Sequence, residues 1–154
     1  MSKSEIEIIE EIKLVIKDHS LIIIVGDFKK NTSLKKKLQN LESLTTVNLN
    51  LHLSGILASM SGNERTNPVE LIEGILLDVN SNNVIFLGDN NILFDSNLKW
   101  NPLEIFKKLS RTYPLLVLWD GILDGKILKY ASIGHAEFRE FQLPDFEEIF
   151  IIES

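Results

Sequence analysis

Leu21 to Lys37 reads L-I-I-I-V-G-D-F-K-K-N-T-S-L-K-K-K, and the fold turns on how this stretch is read. Leu21 to Val25 is an unbroken apolar run, mostly β-branched, that ends at Gly26. A short run apolar at every position and bounded by glycine is a strand buried on both faces. Beyond the break, Thr32, Ser33, Leu34 and a run of lysines suit a helix over Ser33 to Leu44. Strand, glycine turn, helix is the frame of a phosphate-binding loop. Against G-x-x-x-x-G-K-[ST], Gly26 takes the first glycine and Ser33 the final position, but Asn31 replaces the second glycine and Thr32 replaces the lysine.

The candidate nucleotide-binding residues of this degenerate loop are Gly26, Asp27, Phe28, Lys29, Lys30, Asn31, Thr32 and Ser33. The second glycine normally lets backbone N–H groups wrap a phosphate, and Asn tolerates the left-handed conformation better than most residues. The lysine normally brings charge to the β- and γ-phosphates, which Thr32 cannot do. Lys29 and Lys30 lie inside the loop rather than at the first turn of a helix. Ser33 retains a hydroxyl for Mg²⁺, and a helix N-terminus favours an anion. The plainer reading is an ordinary strand-to-helix turn.

A chain of 154 residues with net charge −6 and no Cys is of a size for one domain, without disulfides, thiolate metal sites or a thiol nucleophile. The apolar runs are strand-length, too short for a membrane span. The start lacks the basic and apolar regions of a secretion signal, so the cytoplasm is the expected location, with no membrane partner. The acidic total argues against direct nucleic-acid binding, and the run Lys35 to Lys37 is read as a solvated helix face.

Ser4-x-x-Glu7 is a capping box ahead of an N-terminal helix within residues 1–20, with Ile8, Ile9, Ile12, Val15 and Ile16 on one face. Thr45 to Leu53 alternates apolar and polar, which predicts a strand, although its last residues could open the next helix. Lone His52 belongs to a polar face. Asn67-Pro68 and Asn101-Pro102, each with Glu two residues after the proline, predict two helix starts. Val84 to Leu87 and Pro114 to Trp119 are further buried strands, the latter turned by Asp120-Gly121. A β-rich tail, 121–154, holds a turn at Asp124-Gly125, a short strand over Lys126 to Ala131 and a last strand over Phe146 to Ile152.

The second buried strand runs into Gly88-Asp89-Asn90-Asn91. An apolar strand ending in an acid is what a Walker B segment needs to hold Mg²⁺. Asp89, Asn90 and Asn91 are its candidates, and Ser33 and Asp89 are the metal ligands if a nucleotide binds. No Glu follows, so no base is supplied; a strand ending in a polar turn is the structural alternative. Helix and strand alternate along the chain, which predicts a mainly parallel sheet between helical layers. Gly26, Asp89 and Asp120 all fall at strand ends, where ligands sit in such folds.

Three later stretches carry a family resemblance. N-L-N-L-H-L-S from Asn48, N-N-I-L-F-D-S-N-L-K-W-N-P-L-E-I-F-K-K-L-S-R from Asn90 and W-D-G-I-L-D-G-K-I-L-K-Y-A-S-I-G-H-A-E-F-R from Trp119 resemble BrxF. That is the small P-loop family of type III BREX, or bacteriophage exclusion, systems. The most specific parts are L-F-D-x-x-L-K-x-[DN]-P-L from Leu93 and Gly134 to Arg139, close to a family G-H-P-E-Y-R. The resemblance covers nearly the whole chain after the first helix and implies a RecA/AAA-like three-layer P-loop NTPase core, with residues 1–154 as a single domain. A chain this short has no room for the helical lid domain of many AAA-type ATPases. The resemblance further implies a part in anti-phage defence with other BREX-type proteins as partners; a homo-oligomer is compatible with it. The family's loop is glycine-rich with the lysine, and its second strand leads into L-D-N-I-E before L-F-D. Both signatures are altered here, and the register of Asp89 to Asn91 against L-D-N-I-E can be counted two ways.

Two functions follow. One is a degenerate P-loop subunit, assembling or regulating, with weak ATP hydrolysis or none. The other is an ATP·Mg-binding and hydrolysing subunit whose non-standard loop uses Lys29 or Lys30 and is completed by a partner, Arg111 being the candidate arginine finger. Loss of the lysine, the second glycine and the Glu together favours the first. His135 and Arg139 are candidate partner contacts, or structural residues of the tail, with Arg139 pairing to Glu137 or Glu140.

Overall fold

The computed structural model describes residues 3–60, 67–79, 83–131, 138–143 and 149–154. Along the chain lie α1 (Glu5–Val15), β1 (Leu21–Gly26), α2 (Phe28–Leu38), β2 (Leu44–Thr46), α3 (Leu49–Ala58), α4 (Pro68–Leu77) and β3 (Val84–Leu87). A 3-10 turn (Asn91–Phe94) then leads to α5 (Pro102–Ser110), β4 (Leu115–Asp124), β5 (Ile127–Tyr130), β6 (Arg139–Gln142) and β7 (Ile149–Glu153).

The sheet runs β2-β3-β4-β1-β7, with every pair along this path parallel. Leu21 to Val25 are at most 3% exposed, because β1 is flanked by β4 and β7 and covered on both faces. Alternate residues divide between two cores. Ile22, Ile24, Phe86, Leu116 and Leu118 face Ile8 and Ile12 of α1 and Leu34 and Leu38 of α2. Leu21, Ile23, Leu87, Val117 and Trp119 face α3, α4 and α5 through Leu53, Ile72 and Phe106. The result is three layers, helix on sheet on helix, each buried aliphatic side chain contributing about 1.5–3 kcal/mol.

β4 is longer than expected. Asp120-Gly121 does not turn it; Gly121 to Asp124 continue and pair antiparallel with β5, which pairs with β6. The turn comes at Gly125, with φ of 60°. A Cβ on Gly121 would lie 1.8 Å from the Lys129 carbonyl oxygen, so glycine here serves close strand approach rather than a bend. Phe94 stacks on Tyr130 and meets Trp119 edge-on, tying this antiparallel wing to the main core.

The alternating stretch at Thr45 resolves differently from its period-two reading. Only Leu44–Thr46 pair as a strand, and α3 begins at Leu49 because the Asn48 side chain accepts from Leu51 N–H. Leu49 and Leu53, four residues apart, are buried, while Leu51 is exposed. His52 is exposed, as expected. The capping box of α1 and the Asn-Pro starts of α4 and α5 form as the sequence predicts. No helix among the described residues is long and apolar enough to cross a membrane.

Candidate functional site

The chain leaves β1 toward one face of the sheet, into α2, and leaves β3 toward the other, into the 3-10 turn and α5. Between these departures, over the end of β4, lies the crevice where open α/β sheets bind ligands. Asp120 sits there in register with Gly26, and Asp89 and Asn91 also line it, so the predicted meeting of strand ends takes place.

The junction of β1 and α2 differs from a phosphate loop. Asp27 is extended (φ −72°, ψ 165°), and its side chain accepts from Lys30 N–H at 2.7 Å. Phe28 therefore opens the helix directly after the strand, and Asn31 N–H makes the first turn's bond to the Asp27 carbonyl at 3.0 Å. Residues 28–33 are helix instead of loop, and α2 ends at Leu38 rather than Leu44. The physical reason is that Asp immediately after the glycine is a strong N-cap, while no second glycine holds the chain open. The helix N-terminus, with its partial positive charge, already has a carboxylate of its own.

The eight candidate loop residues scatter accordingly. Gly26 is a packing glycine: a Cβ would lie 2.0 Å from Ser154 Oγ. Phe28 and Lys29 are exposed, Lys30 Nζ reaches the Ser154 main-chain oxygen at 3.4 Å, and Thr32 Oγ1 donates to the Phe28 carbonyl at 2.7 Å. Ser33 points away from the crevice and donates to Glu5 of α1. Lys37 also holds Glu5, at 2.6 Å, and these two donors, Lys37 foremost, keep its carboxyl below the usual range. Ser33 and Asp89 are thus not brought together as metal ligands. Instead the Asp89 carboxylate takes the Lys35 ammonium at 2.7 Å, half-buried. Lys35 was expected in solvent with Lys36 and Lys37; only Lys36 of the three is without an ion pair among the described residues.

Asn31 is the hub. It is 3% exposed, and its Nδ2 lies 2.8 Å from Asp120 Oδ1, 3.0 Å from the Trp119 carbonyl and 3.3 Å from the Gly26 carbonyl. Its Oδ1 has no hydrogen-bond partner among the described residues. Asn91 Nδ2 completes the lock, donating to Asp120 Oδ2 at 3.1 Å and to Tyr130 Oη at 2.8 Å. Asn90, also 3% exposed, donates to the Leu87 and Leu118 carbonyls and so ties the end of β3 to β4. The Walker B candidates are therefore an ion-pair partner and two strand-end staples.

What space remains is a cavity of about 40 Å³ lined by Phe28, Asn31, Thr32, Lys35, Asp89 and Asp120, among others. About 10–15 Å³ of such space holds one water, whereas ligand pockets run to about 300–1,000 Å³. The residues as arranged do not fit a nucleoside triphosphate with Mg²⁺. No protein-family model, curated protein or solved structure gives a significant match to the chain.

The remaining candidates lie elsewhere. Arg111 is exposed at the end of α5, which runs back toward the amino end of β4, away from the crevice. Arg139 opens β6, donates to the Trp100 carbonyl at 2.8 Å and lies 4.9 Å over the Phe141 ring. That contact replaces the pairing expected with Glu140; Glu137 and His135 lie outside the described residues. Asn31, Lys35, Asp89, Asn91 and Asp120 line the crevice, with Tyr130 bonded to Asn91. The sequence points to Asn31, Asp89, Asn91 and Asp120 as site candidates, reads Lys35 as a solvated cation and gives no sign of Tyr130.

Proposed function

We propose that this chain is a nucleotide-independent subunit of an anti-phage defence assembly, a P-loop-type α/β domain that has kept its frame and works through protein contacts. The observation that carries the proposal is the Asp27 carboxylate on Lys30 N–H: a side chain of the protein occupies the position where a phosphate-binding helix would receive its anion. The parallel sheet between helical layers supports a RecA/AAA-like ancestry, and the resemblance of Asn90 to Arg111 and of Trp119 to Arg139 to BrxF supports the defence setting. The test is protection from phage in the host system that carries the chain. Deleting it should abolish protection, whereas Lys30→Ala and Ser33→Ala should leave protection intact. Loss of protection with either single variant, at unchanged protein level, sinks the proposal.

A second reading draws on one observation. The Lys35–Asp89 pair places a cation and a carboxylate at the crevice. If a partner subunit parts them, they could serve phosphate and Mg²⁺. ATP hydrolysis by the assembled complex that vanishes with Lys35→Ala would favour this reading over the first.

A further inference from the structure

Helices α3 and α4 each carry one large apolar side chain, Leu51 and Leu77, outside the face that packs on the sheet. In α4, Ile72 and Leu76 are buried, Val69, Leu71 and Ile75 are half-buried against the core, and Leu77 is exposed. In α3 only Leu49 and Leu53 are buried. Leu51 and Leu77 stand 69% and 74% exposed. A surface helix needs one apolar stripe, and Leu51 and Leu77 fall outside the stripes that pack on the sheet.

Where the two helices meet they leave a groove of about 550 Å³. Leu71 and Ile75, on successive turns of α4, and Val79, just past its end, form one wall, and Ile56 belongs to the other. Gly74 lines the groove, and nothing lies within 4 Å of where its Cβ would be. Packing within the chain does not call for glycine there, although glycine weakens a helix interior; a bare backbone admits close approach by another chain.

Charge selects the occupant. Asn48 to Met60 contains no Lys, Arg, Asp or Glu, and Asn67 to Val79 contains Glu70, Glu73 and Asp78 but no Lys or Arg. Glu70 and Asp78 line the groove together with His52, and the two carboxylates make it acidic. A second copy docked through the same face would set acid against acid, and an anionic membrane would be repelled. We propose that the α3–α4 groove receives a cationic amphipathic helix of a partner protein. Its aliphatic stripe would rest on Ile56, Leu71, Ile75 and Val79, with Lys or Arg beside Glu70 and Asp78. The groove is separate from the crevice, and the inference does not depend on whether nucleotide binds.

The test titrates the full chain with a labelled synthetic helix of about five turns, Leu at i, i+3, i+4 and i+7 and Lys on both flanks, and with the same peptide carrying Glu for Lys. The Lys peptide should bind saturably, more weakly as salt rises, and the Glu peptide at least about tenfold less tightly. Glu70→Lys with Asp78→Lys should reverse that preference. Gly74→Phe, which fills the groove from an open position, should cut Lys-peptide affinity at least about tenfold while leaving the unfolding midpoint within a few degrees. No binding of the Lys peptide, equal binding of the two peptides, or binding that survives Gly74→Phe overturns the proposal. So does a dimer in sedimentation that Gly74→Phe dissociates, since a second copy would then cover the face.

Discussion

The Asn31 side-chain amide, at the first turn of α2, donates to Asp120 Oδ1 at the end of β4 across 2.8 Å. This bond joins the helix that follows β1 to the neighbouring strand and seals the crevice at the point where a phosphate loop would open it. Asn91 holds the other Asp120 oxygen at 3.1 Å from the opposite side. Two segments distant in sequence are thereby fixed to one carboxylate on a third.

Asn31→Ala removes this hub and leaves the Trp119 and Gly26 carbonyls short of a donor. The expected loss is about 1–3 kcal/mol, seen as a fall in unfolding midpoint of about 2–4 °C per kcal/mol. Restoring the loop consensus with Asn31→Gly and Thr32→Lys should lower the midpoint at least as far. An unchanged midpoint in Asn31→Ala would show that the buried bonds carry no net stability.

Two glycine substitutions should move stability in opposite directions. Gly121→Ala drives a Cβ against the Lys129 backbone oxygen, 1.8 Å away, and should cost about 1–3 kcal/mol or more as β4 and β5 part. Gly55 lies inside α3 with nothing within 4 Å of its Cβ position, so Gly55→Ala should gain about 0.5–1 kcal/mol. Urea unfolding of both variants reads the signs directly.

Asp27→Ala deletes the cap of α2 and should cost about 1 kcal/mol. Asp27→Asn keeps an acceptor for Lys30 N–H and should cost less. Equal losses would assign the effect to charge rather than to the hydrogen bond.

Glu5 links α1 to α2, and Lys37 and then Ser33 hold its carboxyl below the ordinary range. A carboxylate depressed by folding contributes stability that is present above its unfolded pKa, about 4.3, and lost as pH falls through the folded value. Lys37→Met should therefore raise the Glu5 pKa, measured by carboxyl-carbon NMR titration, and make acid destabilisation set in at higher pH. Ser33→Ala should shift it the same way by less. A Glu5 titration indifferent to both changes would contradict the contact.

Much of the frame was legible because its signals are local. Ser4 with Glu7, Asn67-Pro68 and Asn101-Pro102 each specify a helix start within four residues, and the aliphatic runs at Leu21, Val84 and Leu115 need no partner to be recognised as buried strands. The start of α2 was misplaced because Gly26 and Ser33 match the loop spacing, while the cap at Asp27 is a single residue. Val47, Leu49, Leu51 and Leu53 fit period two, yet Leu49 and Leu53 also fit one helix face, and only tertiary packing decides. Asp120-Gly121 reads as a turn in the sequence because a close approach to Lys129 leaves no trace in neighbouring residues. The lock of Asn31, Asn91, Asp120 and Tyr130 depends on the strand order, which no short window contains.

The most direct measurement is thermal unfolding of the intact chain with and without millimolar Mg·ATP, repeated with Ser33→Ala. With the helix N-terminus capped by Asp27 and the crevice sealed by Asn31, the midpoint should not move in either protein. A ligand at about 100 times its dissociation constant adds about 2.7 kcal/mol, so a rise of several degrees that Ser33→Ala abolishes would contradict the closed junction and restore a nucleotide site.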